Sequence, residues 1–342
     1  MGTVAVLGYY TLMDVVNSYT SLDAQAQYIW AANVLARKCP MIRDLPMVPS
    51  NMIMSNIGSR RTYLSTPGTR RFNEGVAPSA SHKTPFTDPV AMVEDYSECD
   101  YALWKIQNDP NQWRQDEDQA KVEGLTQKME DLIIYGSIAT DPAAFDGFAT
   151  RFKSKSRRPN GDSSTPYNVL SQGGDAGAHH ASVWVVEWGK NKVFGIFPKN
   201  LPGGLLIEDL GKVTINTSAS PATAPTYMEG LRTHFAWYMG IVVHDERCIQ
   251  RLGDIEVTGT TNIFDEDNLI KLINQLPGGG GAAGTAIYCT LGVKTQLDIR
   301  AKDKTNVNYT PDEVWGGNIT RFRGIPVYMA EMLDETESVL ET

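Results

Sequence analysis

The sequence is short of the features that assign a chain at a glance. No apolar run approaches the ~20 residues that a membrane-spanning helix needs. The amino terminus, MGTVAVLGYYTLMDVV, has neither the basic head nor the small-residue cleavage site of a secretory signal, and Val6 breaks the myristoylation pattern. There are only 4 cysteines, Cys39, Cys99, Cys248 and Cys289, far apart and without a C-x-x-C pair. That spacing argues against a disulfide framework or a zinc ribbon, and predicts reduced, structural thiols in a cytosolic product. Positive charge is scarce as well: 31 Lys and Arg stand against 40 Asp and Glu, a net charge of −9. A protein whose whole surface grips nucleic acid needs the opposite balance, because neutralising phosphates takes clustered cations.

Catalytic signatures are missing too. G-x-S-x-G, kinase and Rossmann motifs do not occur, and the five histidines (His82, His179, His180, His234, His244) have no zinc-binding spacing. Gly279 and Gly284 are spaced as in a phosphate loop, but Thr285 stands where the phosphate-binding lysine belongs. The run also follows a helix and precedes a strand, the reverse of the required order, so a flexible loop is expected. The reading is of a protein that is not an enzyme, with no catalytic residue, metal or cofactor assigned.

What is present is ordinary globular composition, 42% hydrophobic and 21% charged, in 342 residues, enough for two domains. Residues 1–57 read as an arm: Ser21 to Ala36 is an expected helix that Pro40 prevents from continuing, and a Met-rich stretch follows (Met41, Met47, Met52, Met54). Adaptable Met side chains suit a partner surface, and an irregular buried loop fits them equally well. Residues 58–98 are rich in Gly, Pro, Ser and Thr and have little to build a core from. Within it, over 60–86, Arg60, Arg61, Arg70, Arg71 and Lys83 against Glu74 give a net +4, and Pro67-Gly68 marks a turn. Such a segment is functional or ordered by something outside itself.

From Glu94 to Asp118 the charge inverts. Eight acids (Glu94, Asp95, Glu98, Asp100, Asp109, Asp116, Glu117, Asp118) face Lys105 and Arg114, a net −6. A long helix begins inside this run: Asp109 caps it, Pro110 fits its first position, and Leu125, Met129, Leu132 and Ile133 form one apolar stripe as far as Gly136. Leu231 to Val243 alternates with period two and predicts a long strand. Val183–Trp188 and Val193–Phe197, joined through Gly189-Lys190-Asn191, predict a hairpin. From about 245 to 325 the pattern is α/β. A helix through Leu269, Leu272, Ile273 and Leu276 precedes a buried strand (AIYCTLG), a second helix (VKTQLDIRA) and a last strand (IPVYMA). The one dense basic run is Arg151, Lys153, Lys155, Arg157 and Arg158, which reads either as a solvated loop or as a contact with DNA or an acidic neighbour.

The ordered set LDAQAQ (from Leu22), AMVEDYSECD (from Ala91), IIYGSIATDPAAFDGFATRF (from Ile133), SVWVVEWGKNKVFGIFPKNLPGGLLIEDLG (from Ser182), RTHFAWYMGIVVHDERCIQRLGDIEV (from Arg232) and TRFRGIPV (from Thr320) resembles the major capsid proteins of tailed double-stranded DNA bacteriophages. Shell proteins of short-tailed phages are the nearest likeness. The resemblance implies an α+β fold of the Hong Kong 97 capsid type, with an N-terminal arm (1–57) and an extended β-hairpin loop (58–98). It further implies a peripheral domain (99–244 and 321–342) with a spine helix at 109–136, and an axial domain (245–320). It implies self-assembly into pentamers and hexamers of an icosahedral head in the virion, built in the host bacterial cytoplasm. The implied partners are further copies of the chain, a separate scaffolding protein, a portal, a cementing protein and non-specifically held double-stranded DNA, with no membrane. A cellular nanocompartment shell of the same fold, holding an enzyme cargo, is the alternative. On this reading Arg60, Arg61, Arg70, Arg71, Phe72 and Lys83 of the loop meet Glu94, Asp95, Glu98, Asp116, Glu117 and Asp118 of the adjacent subunit.

Overall fold

The computed structural model describes residues 38–107, 109–155, 168–174, 179–217, 226–258, 261–281, 283–301, 309–312 and 319–341. The expected helix Ser21 to Ala36, together with Arg157 and Arg158, lies outside them. In chain order the strands are β1 (Met47–Pro49), β2 (Ser55–Tyr63), β3 (His82–Pro89), β4 (Ala91–Asp100), β5 (Val169–Ser171), β6 (His180–Glu187), β7 (Val193–Phe197), β8 (Leu205–Asn216), β9 (Tyr227–Val243), β10 (Ile249–Glu256), β11 (Thr285–Cys289), β12 (Tyr309–Asp312), β13 (Ile319–Phe322) and β14 (Ile325–Met329). The chain forms two compact units. Met92–Met129 and Gly204–Tyr238 belong to one; Lys38–Ala91, Glu130–Gly203 and Met239–Thr342 belong to the other.

In the first unit β8 runs antiparallel to β9 from Leu205↔Trp237 to Asn216↔Tyr227, with a bulge between Asp209 and Gly211. Its small core gathers Cys99 and Trp113 with Leu103 and Trp104. The spine helix Pro110–Tyr135 starts here, where the Asp109 carboxylate accepts from the Gln112 N–H at 3.2 Å, and it ends in the second unit. Leu125, Met129, Leu132 and Ile133 are all buried, as the stripe requires.

The second unit is built on a seven-stranded sheet in the order β12-β13-β14-β11-β6-β10-β5. The stretch 245–320 supplies only part of it, since β5, β6 and β14 come from outside those bounds. The helices Glu266–Gln275 and Leu291–Ala301 put Leu269, Leu272, Ile273, Val293 and Leu297 into one apolar cluster with Val183, Val185, Leu252, Ile287 and Val327 of the sheet. Trp184, also on β6, packs against Phe148 and Phe152.

Two sequence expectations fail here. Val183–Trp188 and Val193–Phe197 are strands but not a hairpin. β6 is buried along its whole length and has both edges taken, by β10 and β11. β7 pairs instead with β1 and with the end of β9, so the turn at Gly189 carries the chain from one sheet to another. The turn of the basic segment is also not at Pro67-Gly68. It lies at Arg71–Glu74, where the Glu74 N–H donates to the Arg71 carbonyl at 3.2 Å and Asn73 takes φ 64°. Asn tolerates that left-handed conformation better than most residues.

Candidate assembly interface

β2 and β3 pair antiparallel from Ser55↔Pro89 to Tyr63↔His82 and form a two-stranded ribbon with no other strand beside it among the described residues. Side chains alternate across a strand, so register sorts the cations. Gly58 and Arg60 share one face with Phe86 and Asp88; Ile57 and Arg61 share the other with Lys83 and Thr87. Arg60 turns inward. It pairs with Glu246, donates to the Val243 carbonyl, and lies 4.3 Å over the Phe86 ring. Arg61 faces outward directly opposite Lys83, and both are exposed. Like charges directly opposite repel, so this pair lowers ribbon stability unless an anion from elsewhere meets it.

Beyond Tyr63 the ribbon has no core. Residues 64 to 81 are all exposed, and Phe72, at the turn, is 99% exposed. Arg70 and Arg71 immediately precede it. The Arg70 guanidinium donates to the Glu74 carbonyl at 3.2 Å, and the Arg71 backbone N–H donates to the Glu74 carboxylate at 3.3 Å. Tyr63, Leu64 and Val76 are also exposed. At the foot of the ribbon, Met52, Ile53, Met54 and Ile57 add a second exposed apolar group. Of the Met-rich stretch, then, Met41 is buried and Met52 and Met54 face out. Ile53, bare at 75%, was not singled out by the sequence reading; two Met neighbours in a segment without periodicity were its only signal.

The acidic run is different. Its carboxylates are occupied within their own unit. Glu98 pairs with Arg232, Asp95 with Lys121 at 3.1 Å, and Glu94 accepts from the Tyr238 hydroxyl at 3.3 Å with His234 at 3.6 Å. Asp118 accepts from the Thr233 hydroxyl at 3.2 Å. Asp116 and Glu117 are half-buried and engaged. The alternation in β9 that predicted a strand also places Arg232 and His234 on the face these acids meet. Proximity to Glu94 and burial together push the Tyr238 hydroxyl pKa upward, burial contributing most.

The described cations of the basic run, Arg151, Lys153 and Lys155, are likewise satisfied inside the chain. Arg151 pairs with Asp88 at 2.7 Å, Lys153 with Glu341 at 2.9 Å and Lys155 with the buried Asp254 at 3.2 Å. Burial raises the thiols of Cys99, Cys248 and Cys289 to about 12, which leaves them protonated and unreactive. Among the described residues no three His, Cys, Asp or Glu side chains gather to hold a metal.

Comparison with known proteins assigns this α+β body and its cationic, apolar-tipped ribbon to a family. The profile of the major capsid protein GP7 family matches residues 23–341. The chain belongs to that family. The solved structure of bacteriophage Epsilon15 is similar over 99% of this chain and 98% of its own, with TM-score 0.69 and 22% identity. The bacteriophage JBD30 capsid is similar over 90% and 96%, with TM-score 0.50 and 10% identity. A search of curated protein sequences finds no match. The fold is therefore of the Hong Kong 97 capsid type, and the chain is a tailed-phage major capsid protein, a structural component of the virion. The nanocompartment alternative gives way to the capsid family.

Proposed function

We propose that copies of this chain assemble as pentamers and hexamers into the icosahedral head that encloses the phage double-stranded DNA, with the β2–β3 ribbon lying across the neighbouring copy. One observation carries the ribbon's role: residues 64 to 81 are exposed throughout and carry at their turn a bare phenylalanine directly after two arginines. Burying one such ring on a partner is worth about 1.5–3 kcal/mol, whereas each exposed ion pair adds ~0–1 kcal/mol. Apolar contact therefore supplies most of the affinity. Arg61, Arg70, Arg71 and Lys83 supply registration and encounter rate.

The sequence reading set this ribbon against the Glu94–Asp118 acids of the next subunit. Those acids already have partners, so the ribbon's docking site is better sought in exposed apolar surface. Arg151, Lys153 and Lys155 are likewise committed, which favours a lining that surrounds DNA without gripping it. Assembly in the host cytoplasm with a separate scaffolding protein, a portal and a cementing protein completes the reading, in which the chain acts without catalysis. Negative-stain microscopy of the full chain, expressed alone and together with the other head genes, tests it. Closed shells or five- and six-fold capsomers are expected; a small, uniform oligomer under both conditions would refute it.

A further inference from the structure

A ribbon without a core cannot set its own direction, because an isolated two-stranded hairpin is marginally stable. Its attachment must do so. We propose that two ion pairs at its root, Arg60–Glu246 and Asp88–Arg151, fix the direction in which the ribbon leaves its own subunit, and are thus positioning residues for the contact with the next copy. The inference rests on the reading of the ribbon as an arm between copies.

The two pairs grip different strands and different parts of the body. Arg60 on β2 reaches Glu246, in the short helical turn Glu246–Cys248 after β9, and the Val243 carbonyl. Asp88 on β3 reaches Arg151, at the end of the helix Phe148–Arg151, at 2.7 Å. The Arg151 Nε in turn donates to the Asp146 carbonyl at 2.8 Å. One attachment would leave the ribbon free to rotate about it; two, on separate strands, define a direction.

The space between them is shaped for this purpose. Phe86 sits opposite Gly58, where any Cβ would run into its ring. The ring therefore crosses to β2, carries the Arg60 guanidinium on its face, and meets His244 edge-on at 6.1 Å. A cleft of about 230 Å³ lies at this root, lined among others by Arg60, Phe86, Asp88, Arg151 and Glu246. Asp88 Oδ2, Glu246 Oε2 and Arg60 Nε are buried there with no hydrogen-bond partner among the described residues. A junction selected for stability alone would be apolar and filled, because buried ion pairs gain little over well-packed hydrophobic residues. Charged groups with fixed hydrogen-bond directions specify an angle, and apolar packing does not.

The test labels Asn73→Cys at the tip and Lys190→Cys on the body with spin labels, in a Cys39→Ser background, and measures the tip-to-body distance distribution on the unassembled chain. Asp88→Asn with Glu246→Gln keeps shape and removes charge. The distribution should widen by about two-fold as the ribbon swings. The melting temperature should move by only a few degrees, because each amide keeps an acceptor oxygen for its arginine and both arginines are partly open to water. Shell yield should fall by about ten-fold, the equivalent of 1.4 kcal/mol per contact. Arg60→Lys keeps the charge but loses the fork that reaches both Glu246 and Val243, and should give an intermediate width; it also serves if the double variant unfolds. An unchanged distribution in both variants overturns the proposal. A widened distribution with normal shells would instead show that the root positions the ribbon and that the ribbon is not the arm between copies.

Discussion

Arg251 of the seven-stranded sheet with Glu337 of the stretch after β14, and Arg61 with Lys83 in the ribbon, belong to the same compact unit and handle charge in opposite ways. The first two are each 5% exposed and bonded at 2.8 Å, and Glu337 also accepts from the Ser182 and Tyr135 hydroxyls. Arg251 donates as well to Ser182 and to the Phe152 carbonyl, and its guanidinium lies 4.9 Å from the Trp184 ring centre. The second two are exposed, alike in sign and opposed across the ladder. Where a core exists, these charges are enclosed and paired. Where none exists, charge and apolar surface are left for another molecule. The contrast separates residues that hold the subunit together from residues that, on the function proposed above, join subunits.

The largest effect should come from breaking the enclosed side. Glu337→Ala leaves Arg251 buried and unpaired and should cost about 3–5 kcal/mol in denaturant unfolding of the unassembled chain. A loss below about 1 kcal/mol would mean that the network is hydrated rather than enclosed.

Glu130 gives the next effect. Fully buried on the spine helix, with the Ile42 N–H at 3.5 Å, its carboxyl is pushed up to about 8, chiefly by desolvation. Below pH ~4.5 folded and unfolded chains both hold this proton, so it contributes no pH dependence there. Between ~4.5 and about 8 only the folded chain keeps it, so stability falls as pH rises, by an amount on the order of a few kcal/mol. Glu130→Gln should flatten that slope in unfolding measured across the window; an unaltered slope would mean that another group is responsible.

Phe72→Ala should shift subunit stability by no more than about 0.5 kcal/mol, as expected of a surface site, while lowering shell yield. A stability loss of several kcal/mol would place the ring inside its own subunit. The smallest effect on the isolated chain is expected for Arg61→Glu, which relieves repulsion with Lys83 and should be neutral or stabilising by a few tenths of a kcal/mol. In assembly the same change should slow encounter and weaken its dependence on salt, read by light scattering at two ionic strengths.

Much of the fold was legible as periodicity. The spine helix, β9, β11 and the helix Glu266–Gln275 each repeat apolar residues often enough to declare their type, and Asp109-Pro110 marks a helix start without tertiary help. The 183–197 hairpin failed because a turn signal is local, whereas the partners of β6 lie about 65 and 100 residues further along the chain. The candidate interface was legible as a segment but not as a set of residues. Composition marked 60–86 as cationic and coreless, yet it ranked Arg60 with Arg61, and it set the 94–118 acids against the next subunit although Glu94, Glu98 and Asp118 meet β9.

The sequence alone determined which stretches are helix or strand, which segment has no core, and, through the ordered motifs, the family. Those follow from spacing and composition along one dimension. Only the tertiary structure decided which charges are spent. A one-residue difference in register turns Arg60 toward Glu246 and Arg61 toward solvent, and strand pairing between residues far apart in the chain sets that register.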